Sequence, residues 1–171
     1  NLRLKADVMG IPAEDYGQRD VSADELYKGQ RTVEVEEELI NFFETEKFLP
    51  LRDIGIEDAQ PNEYFIMHLP GNDRRRALGR YDQKKEGIVP LINLREGVWG
   101  VYPKNVEQQF AFDSLMNDDI QLVTLVGKAG TGKTLMAIAA GLEKTVGEEK
   151  YSRILVSRPI QPMGRDLGYL P

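Results

Sequence analysis

A loop of eight residues rich in glycine carries the clearest chemistry in this sequence. It consists of Gly127, Lys128, Ala129, Gly130, Thr131, Gly132, Lys133 and Thr134. The spacing is that of the pattern G-x-x-x-x-G-K-[ST], in which backbone N–H groups surround phosphate oxygens. Lys133 is expected to reach the β- and γ-phosphates, and the hydroxyl of Thr134 is expected to bind Mg²⁺. These two residues are the predicted catalytic groups of a site for a nucleoside triphosphate and Mg²⁺.

The segments beside this loop are those that a phosphate-binding loop requires. Residues 120–126 are apolar and partly β-branched, which predicts a buried strand, and residues 135–144 are rich in helix-forming types. A second strand is predicted over residues 153–157. Together they form one βαβ unit, which is expected to be right-handed with parallel strands. A chance glycine-rich turn is the alternative, and these flanks argue against it.

An amphipathic helix is predicted immediately upstream, from Asn105 to Asn117. Its first residues have the spacing N-x-x-Q-x-x-A, which resembles the region of helicases where a glutamine recognises adenine. The amide of Gln108 offers the donor and acceptor that adenine N6 and N7 require. The same pair also fits a capping box, with Asn105 as N-cap and Gln108 three residues later. Both roles are compatible with the sequence.

The middle of the chain is predicted to form a small antiparallel β module. Strands are expected at residues 64–69, 88–92 and 98–102. The only histidine, His68, is expected to be an ordinary residue of its strand. Trp99 is expected in the core of the module, with a base-stacking platform as the alternative.

Two helices are predicted before this module. A short one is expected over residues 36–48, and another over residues 1–9, which Gly10 would end. A polar connector separates them.

The composition limits the classes of protein to which this chain can belong. No apolar run approaches the ~20 residues that span a bilayer, and the N-terminal residues do not resemble a secretory signal. The chain contains no cysteine, which excludes disulfides and thiolate metal sites. We therefore expect a cytoplasmic protein without a membrane partner. The net charge is −6, yet residues 74–85 are basic, either as a solvated hairpin or as a binding patch.

Three motifs agree in order and spacing with one family. Residues 103–108, 127–134 and 154–171 closely resemble the PhoH family of ATPases, and the resemblance covers about residues 75–171. It implies an α/β fold with a partial RecA-like P-loop NTPase core, and a helicase-like activity on single-stranded RNA. Family members commonly form homo-oligomeric rings. The resemblance would place the ATPase part at residues 103–171 and a linker with the β module at residues 21–102.

The N-terminal residues resemble the end of a PIN nuclease domain, which would occupy residues 1–20. This fits the fused PIN–PhoH architecture, in which RNA unwinding is coupled to RNA cleavage. Asp7, Glu14 and Asp15 lie in this remnant, but we do not assign them to metal.

The closing loop contains candidate RNA contacts, Arg158, Met163 and Arg165. In a RecA-type core this loop lies across the top of the sheet, beside the phosphate-binding loop. Cationic side chains suit an RNA backbone, and soft or flat surfaces suit its bases. The alternative is that Arg158 ties the loop down and that Met163 packs locally.

Hydrolysis requires groups that this sequence does not provide. A Mg²⁺-binding aspartate, a residue that orients water and usually an arginine finger must complete the site. One βαβ unit also leaves sheet edges unpaired, so we expect the sequence to be part of a longer ATP-dependent enzyme. The alternatives are a nucleotide-binding assembly module without hydrolysis, and a P-loop kinase acting on a small molecule.

Overall fold

A computed structural model of the chain describes residues 5–6, 8–11 and 27–157. It is an α/β structure, as predicted. Its centre is a five-stranded sheet in the order β1-β3-β4-β5-β2. The strands are β1 (Gln30–Glu34), β2 (Leu49–Pro50), β3 (Tyr64–Leu69), β4 (Asn72–Asp82) and β5 (Gly87–Pro90). The α-helices that the structure describes in full are α1 (Glu37–Glu46), α2 (Val106–Met116) and α3 (Lys133–Leu142).

The sheet is mixed, so the prediction of a purely antiparallel module is wrong at one edge. β1 runs parallel to β3, and the other neighbours are antiparallel. β1 begins where the polar connector ends, and its sequence does not resemble a buried strand. Its Arg31 donates to the buried carboxylate of Glu63 at 3.0 Å, a contact between residues far apart in sequence.

Helices cover both faces of the sheet because successive side chains of a strand point to opposite sides. Phe65 and Met67 of β3 are buried with Ile40 and Phe43 of α1. Tyr64, the neighbour of Phe65 on β3, is buried on the other face with residues of α2. The sheet is therefore the middle layer between α1 and α2.

Helix α2 has buried side chains on two sides, whereas an amphipathic surface helix buries only one side. Val106 and Phe110 face the sheet, whereas Phe112 is buried against α3 with Met136 and Ala139. This helix thereby connects the sheet to the helix that follows the glycine-rich loop. The predicted helices at residues 36–48, 105–117 and 135–144 are confirmed with small shifts of their ends.

Three predicted strands are absent from the described residues. Residues 120–126 and 153–157 have no strand assignment there, and Leu122 and Leu155 are 82% and 84% exposed. A buried parallel strand needs hydrogen-bonded neighbours, and no described residue pairs with either segment. The βαβ unit is therefore not formed as predicted.

The third predicted strand, residues 98–102, is a tight turn. Val98 and Val101 exchange both backbone hydrogen bonds at 2.9 Å, and Trp99 and Gly100 between them have φ of +48° and +73°. Two consecutive positive φ angles define a turn that reverses the chain rather than extends it. Trp99 lies at its tip and is 43% exposed, so its prediction as a core residue is wrong.

The N-terminal helix is described only in part. Lys5, Ala6 and Val8 are helical, and Gly10 has φ of +70°. Ile11 N donates to the carbonyl of Ala6 at 3.0 Å, the bond that closes a helix ending in a left-handed residue. Gly10 thus ends this helix as predicted. Asp7, Glu14 and Asp15 lie outside the described residues.

Candidate nucleotide-binding site

The glycine-rich loop leads directly into α3, with Gly132 as the N-cap. Gly130 and Gly132 have φ of +82° and +86°, a region that glycine enters without steric cost. The first intrahelical bond joins Met136 N to the carbonyl of Gly132. The N–H groups of the first turn have no intrahelical partner, and the positive end of the helix dipole lies with them.

The ammonium of Lys133 lies within the loop. Its Nζ donates to the carbonyls of Gly127 at 2.7 Å and Lys128 at 2.6 Å, and to Thr131 Oγ1 at 3.2 Å. All three acceptors are uncharged oxygens of the loop. Thr131 in turn donates to the carbonyl of Lys128 at 2.9 Å. The loop is thus closed around a single cation, while the Thr134 side chain is exposed at the start of α3.

Gln108 joins α2 to the loop. Its Nε2 donates to the carbonyl of Thr131 at 3.3 Å, and its Oε1 accepts from the backbone N–H of Lys104 at 2.7 Å. Asn105 Oδ1 accepts from Gln108 N at 2.9 Å, so the capping role of Asn105 is confirmed. The glutamine thus lies beside the loop. Its contact with adenine stays a prediction.

A cavity of about 720 Å³ opens between the loop, α2 and the chain entering β1. Its volume is within the range typical of small-molecule sites. The loop contributes Gly127, Thr131 and Lys133, and α2 contributes Gln108. The opposite wall includes Tyr27 and Asn62, which were not predicted to take part in a site. The cavity therefore extends from the glycine-rich loop to the sheet.

A buried carboxylate beside this cavity was not predicted either. Asp113 of α2 is 2% exposed and accepts from Tyr64 Oη at 2.9 Å, Arg80 Nε at 3.0 Å and Ile92 N at 2.8 Å. The sequence contains a signal, because Asp113 follows Val106 by seven residues and Phe110 by three. That spacing places it on the sheet-facing side of the helix.

Three of the basic side chains of residues 74–85 have polar partners within the protein. Arg75 donates to Glu37 and Asn41, Arg80 to Asp113, and Lys84, in the turn after β4, to Asp119. These three contacts fit a structural role for Arg75, Arg80 and Lys84, and a binding patch formed by this segment stays a prediction. His68 lies on β3, where its Nδ1 is 3.1 Å from the carbonyl of Leu69.

The predicted RNA contacts Arg158, Met163 and Arg165 lie outside the described residues. Within residues 5–6, 8–11 and 27–157, no group of three or more acidic or histidine residues could hold a metal ion. In the described part of the chain, no helix is long and apolar enough to cross a membrane.

The conformation of Gly132 gives a first testable prediction. Gly132→Ala places a side chain at φ of +86°, which costs about 1–2 kcal/mol. The matched control is Gly141→Ala within α3, where alanine favours the helix by about 0.5–1 kcal/mol and Ile154 Cδ1, 3.2 Å from the new Cβ, must shift slightly. Urea unfolding should therefore show a lower stability for Gly132→Ala than for Gly141→Ala. Equal effects would show that the loop does not hold this conformation.

The phenol of Tyr64 gives a prediction about alkaline pH. Burial, followed by the charge of Asp113, raises the pKa of Tyr64 far above its usual value of 10.0. The unfolded chain then loses this proton at lower pH than the folded one. The contribution of the Tyr64 phenol to the free energy of unfolding is therefore complete below pH 10. It is lost as the pH rises above 10, by up to about 1.4 kcal/mol per pH unit. Unfolding measured between pH 9 and 11 should show this slope, and Tyr64→Phe should reduce it; an unchanged slope would contradict the burial of the phenol.

Comparison with known proteins identifies the family. Residues 100–171 match the model of the family described as PhoH-like protein. The chain is 39% identical over 171 residues to protein PhoH2 of Bacillus subtilis, covering 99% of this chain and 39% of that protein. It is 33% identical over 173 residues to protein PhoH2 of Mycolicibacterium smegmatis, covering 99% of this chain and 37% of the relative.

The chain thus spans 39% or less of the length of these relatives. No solved structure shows significant similarity to it. The family match begins close to α2 and includes the glycine-rich loop and α3, and the similarity to the PhoH2 proteins extends over the sheet as well. The predicted membership of this chain in the PhoH-like proteins is therefore confirmed.

Proposed function

We propose that the loop of residues 127–134 binds the phosphates of ATP with Mg²⁺ at Thr134, and that the protein uses ATP to act on single-stranded RNA. The observation that carries this proposal is the position of Lys133, whose ammonium lies among loop acceptors at the start of α3. A cation held by neutral acceptors can transfer to phosphate oxygens, which form stronger, charge-assisted bonds. The positive end of α3 supports the same ligand.

The exposed apolar segments fit this proposal. Residues 120–126 and 153–157 are expected core strands of a RecA-like sheet, and their neighbours would come from the longer protein. Leu122, Val126, Leu155 and Val156 are all more than half exposed here. Apolar side chains at strand spacing need a cover, and further parallel strands and helices would provide it. The short span of the chain within its relatives supports this reading.

The hydrolytic activity is tested with the intact protein. We expect it to release phosphate from ATP in the presence of Mg²⁺, and single-stranded RNA to increase the rate. Nucleotide binding without turnover under either condition would favour the assembly module instead. Phosphate transfer to a metabolite, with no effect of RNA, would favour a small-molecule kinase.

The RNA contacts are tested separately. We propose that Arg158, Met163 and Arg165 contact the RNA. Arg158→Ala should then weaken RNA binding, and the slope of log affinity against log salt concentration should become shallower by about one. Arg52→Ala is the control, because this side chain is 87% exposed on the helical turn that follows β2. An unchanged salt slope for Arg158→Ala would remove this residue from the RNA site.

The coupling to a PIN ribonuclease and the assembly into rings are further parts of this proposal. The intact protein should cleave RNA with a divalent metal, and this activity should survive Lys133→Ala if the nuclease is a separate site. Sedimentation of the intact protein would measure its oligomeric state. A monomer at all concentrations would contradict the ring.

A further inference from the structure

The carboxylate of Asp113 is the point at which the sheet is joined to α2. Its three donors come from β3, from β4 and from the chain after β5. A buried carboxylate is costly unless its oxygens are paired and hydrogen-bonded. Because Asp113 is 2% exposed, these contacts fix the helix against the sheet. Ser114, the next residue, adds a 2.6 Å bond to the same Tyr64 hydroxyl.

The helix that Asp113 fixes also carries the glutamine that contacts the glycine-rich loop. Gln108 precedes Asp113 by five residues, a distance of about 7.5 Å along the helix. Between them, the ring of Phe110 stacks on the ring of Tyr64 with centroids 4.4 Å apart. Gln108 then donates to the carbonyl of Thr131, within the loop. One rigid helix therefore joins the buried network to the loop.

We infer that Asp113 is a positioning residue of the nucleotide site, which holds α2 so that Gln108 can order the glycine-rich loop. This inference rests on the proposed function, since it assumes that the loop binds ATP. Asp113 does not touch the loop itself. It holds α2, and with it Gln108, in a fixed position relative to the five-stranded sheet, so the sheet is a structural part of the nucleotide site.

The test is a double-mutant cycle on the intact protein with ATP and Mg²⁺ as the probe. Asp113→Asn keeps the shape of the side chain but removes the charge that faces Arg80. We expect it to weaken ATP binding about three- to tenfold, and Gln108→Ala to have a similar effect. The double variant should bind ATP no more weakly than the single variant with the lower affinity, because both changes interrupt the same connection from Asp113 through α2 to Gln108.

A matched control separates positioning from general destabilisation. Glu63 is also a carboxylate of 2% exposure, and it pairs with Arg31 on the sheet. Glu63→Gln should lower stability while leaving ATP affinity within twofold of the original. If Asp113→Asn fails to fold, Tyr64→Phe gives the same test, because it removes one donor to Asp113 and retains the ring that stacks on Phe110.

Each outcome decides the inference. Additive losses in the cycle, unchanged affinity in Asp113→Asn, or an equal loss in Glu63→Gln would overturn it. The proposed function is judged apart from this, by the unmodified protein and by Lys133→Ala. If the unmodified protein binds ATP and Lys133→Ala does not, a failed cycle refutes only the role of Asp113.

Discussion

Replacing Lys133 by alanine should reduce the affinity for ATP by at least about 100-fold, which corresponds to roughly 2.7 kcal/mol. The ammonium would otherwise form charge-assisted bonds to phosphate oxygens, the stronger class of hydrogen bond. In the structure it bonds to groups of the loop, at Gly127, Lys128 and Thr131. Its loss should therefore leave the sheet and helices folded. Isothermal titration with ATP and Mg²⁺ gives the affinity, and circular dichroism monitors the fold.

Lys84→Ala is the matched control for this change. It removes the same charge from a side chain that is 81% exposed and paired with Asp119, away from the loop. Its affinity for ATP should equal that of the unmodified protein. An equal loss in both variants would mean that net charge, and not the loop, determines binding. Unfolding of Lys133→Ala would favour a structural role for the loop.

The largest effect on stability is expected for Phe112→Ala. Phe112 is fully buried between α2 and α3, against Val98, Met136, Ala139 and Ala140. Removing a buried phenylalanine ring typically lowers the free energy of unfolding by about 3–5 kcal/mol, because a cavity remains. Since α3 follows the glycine-rich loop directly, ATP binding should weaken as well. Chemical denaturation measures the first effect.

Phe42→Ala on α1 provides the comparison, because this ring is 44% exposed. A surface substitution usually changes stability by about 0.5 kcal/mol or less, and partial burial adds to this. The loss should therefore be clearly smaller than for Phe112→Ala. Similar losses for the two variants would contradict the packing of α2 against α3.

Sequence reasoning succeeded where the structure is determined locally. The helix at residues 36–48 is α1, and the helix beginning at the N-cap Asn105 is α2. Strand β3 also coincides with the predicted residues 64–69. In each case the pattern of apolar residues lies within a few positions, and for α2 the capping residue Asn105 lies beside it, so no distant contact is needed to recognise the element.

Sequence reasoning failed where distant contacts or an unusual backbone conformation determine the local structure. β1 is polar and becomes a strand by pairing with β3, more than thirty residues later. Residues 98–102 alternate like a strand, yet Trp99 and Gly100 both adopt positive φ and reverse the chain. Residues 120–126 have a strand-like composition, but a strand also requires a neighbour.

In the candidate site, too, residues that are contiguous in sequence could be predicted, whereas contacts between distant residues could not. The glycine-rich loop could be recognised because all the residues of its pattern are contiguous in sequence. Asp113 could not be linked to Tyr64, Arg80 and Ile92, because these four residues meet only after the sheet has formed. The spacing of Asp113 from Phe110 indicates its side of the helix but not its partners. Those contacts depend on how the sheet and α2 pack.

The most direct test of this account is a crystal structure of the protein with Mg²⁺ and a non-hydrolysable ATP analogue. We expect the phosphates at residues 127–134 and Mg²⁺ at the hydroxyl of Thr134. The Nζ atom of Lys133 should leave the carbonyls of Gly127 and Lys128 and bond to phosphate oxygens. A nucleotide bound elsewhere, with Lys133 still bonded to its own loop, would contradict the account.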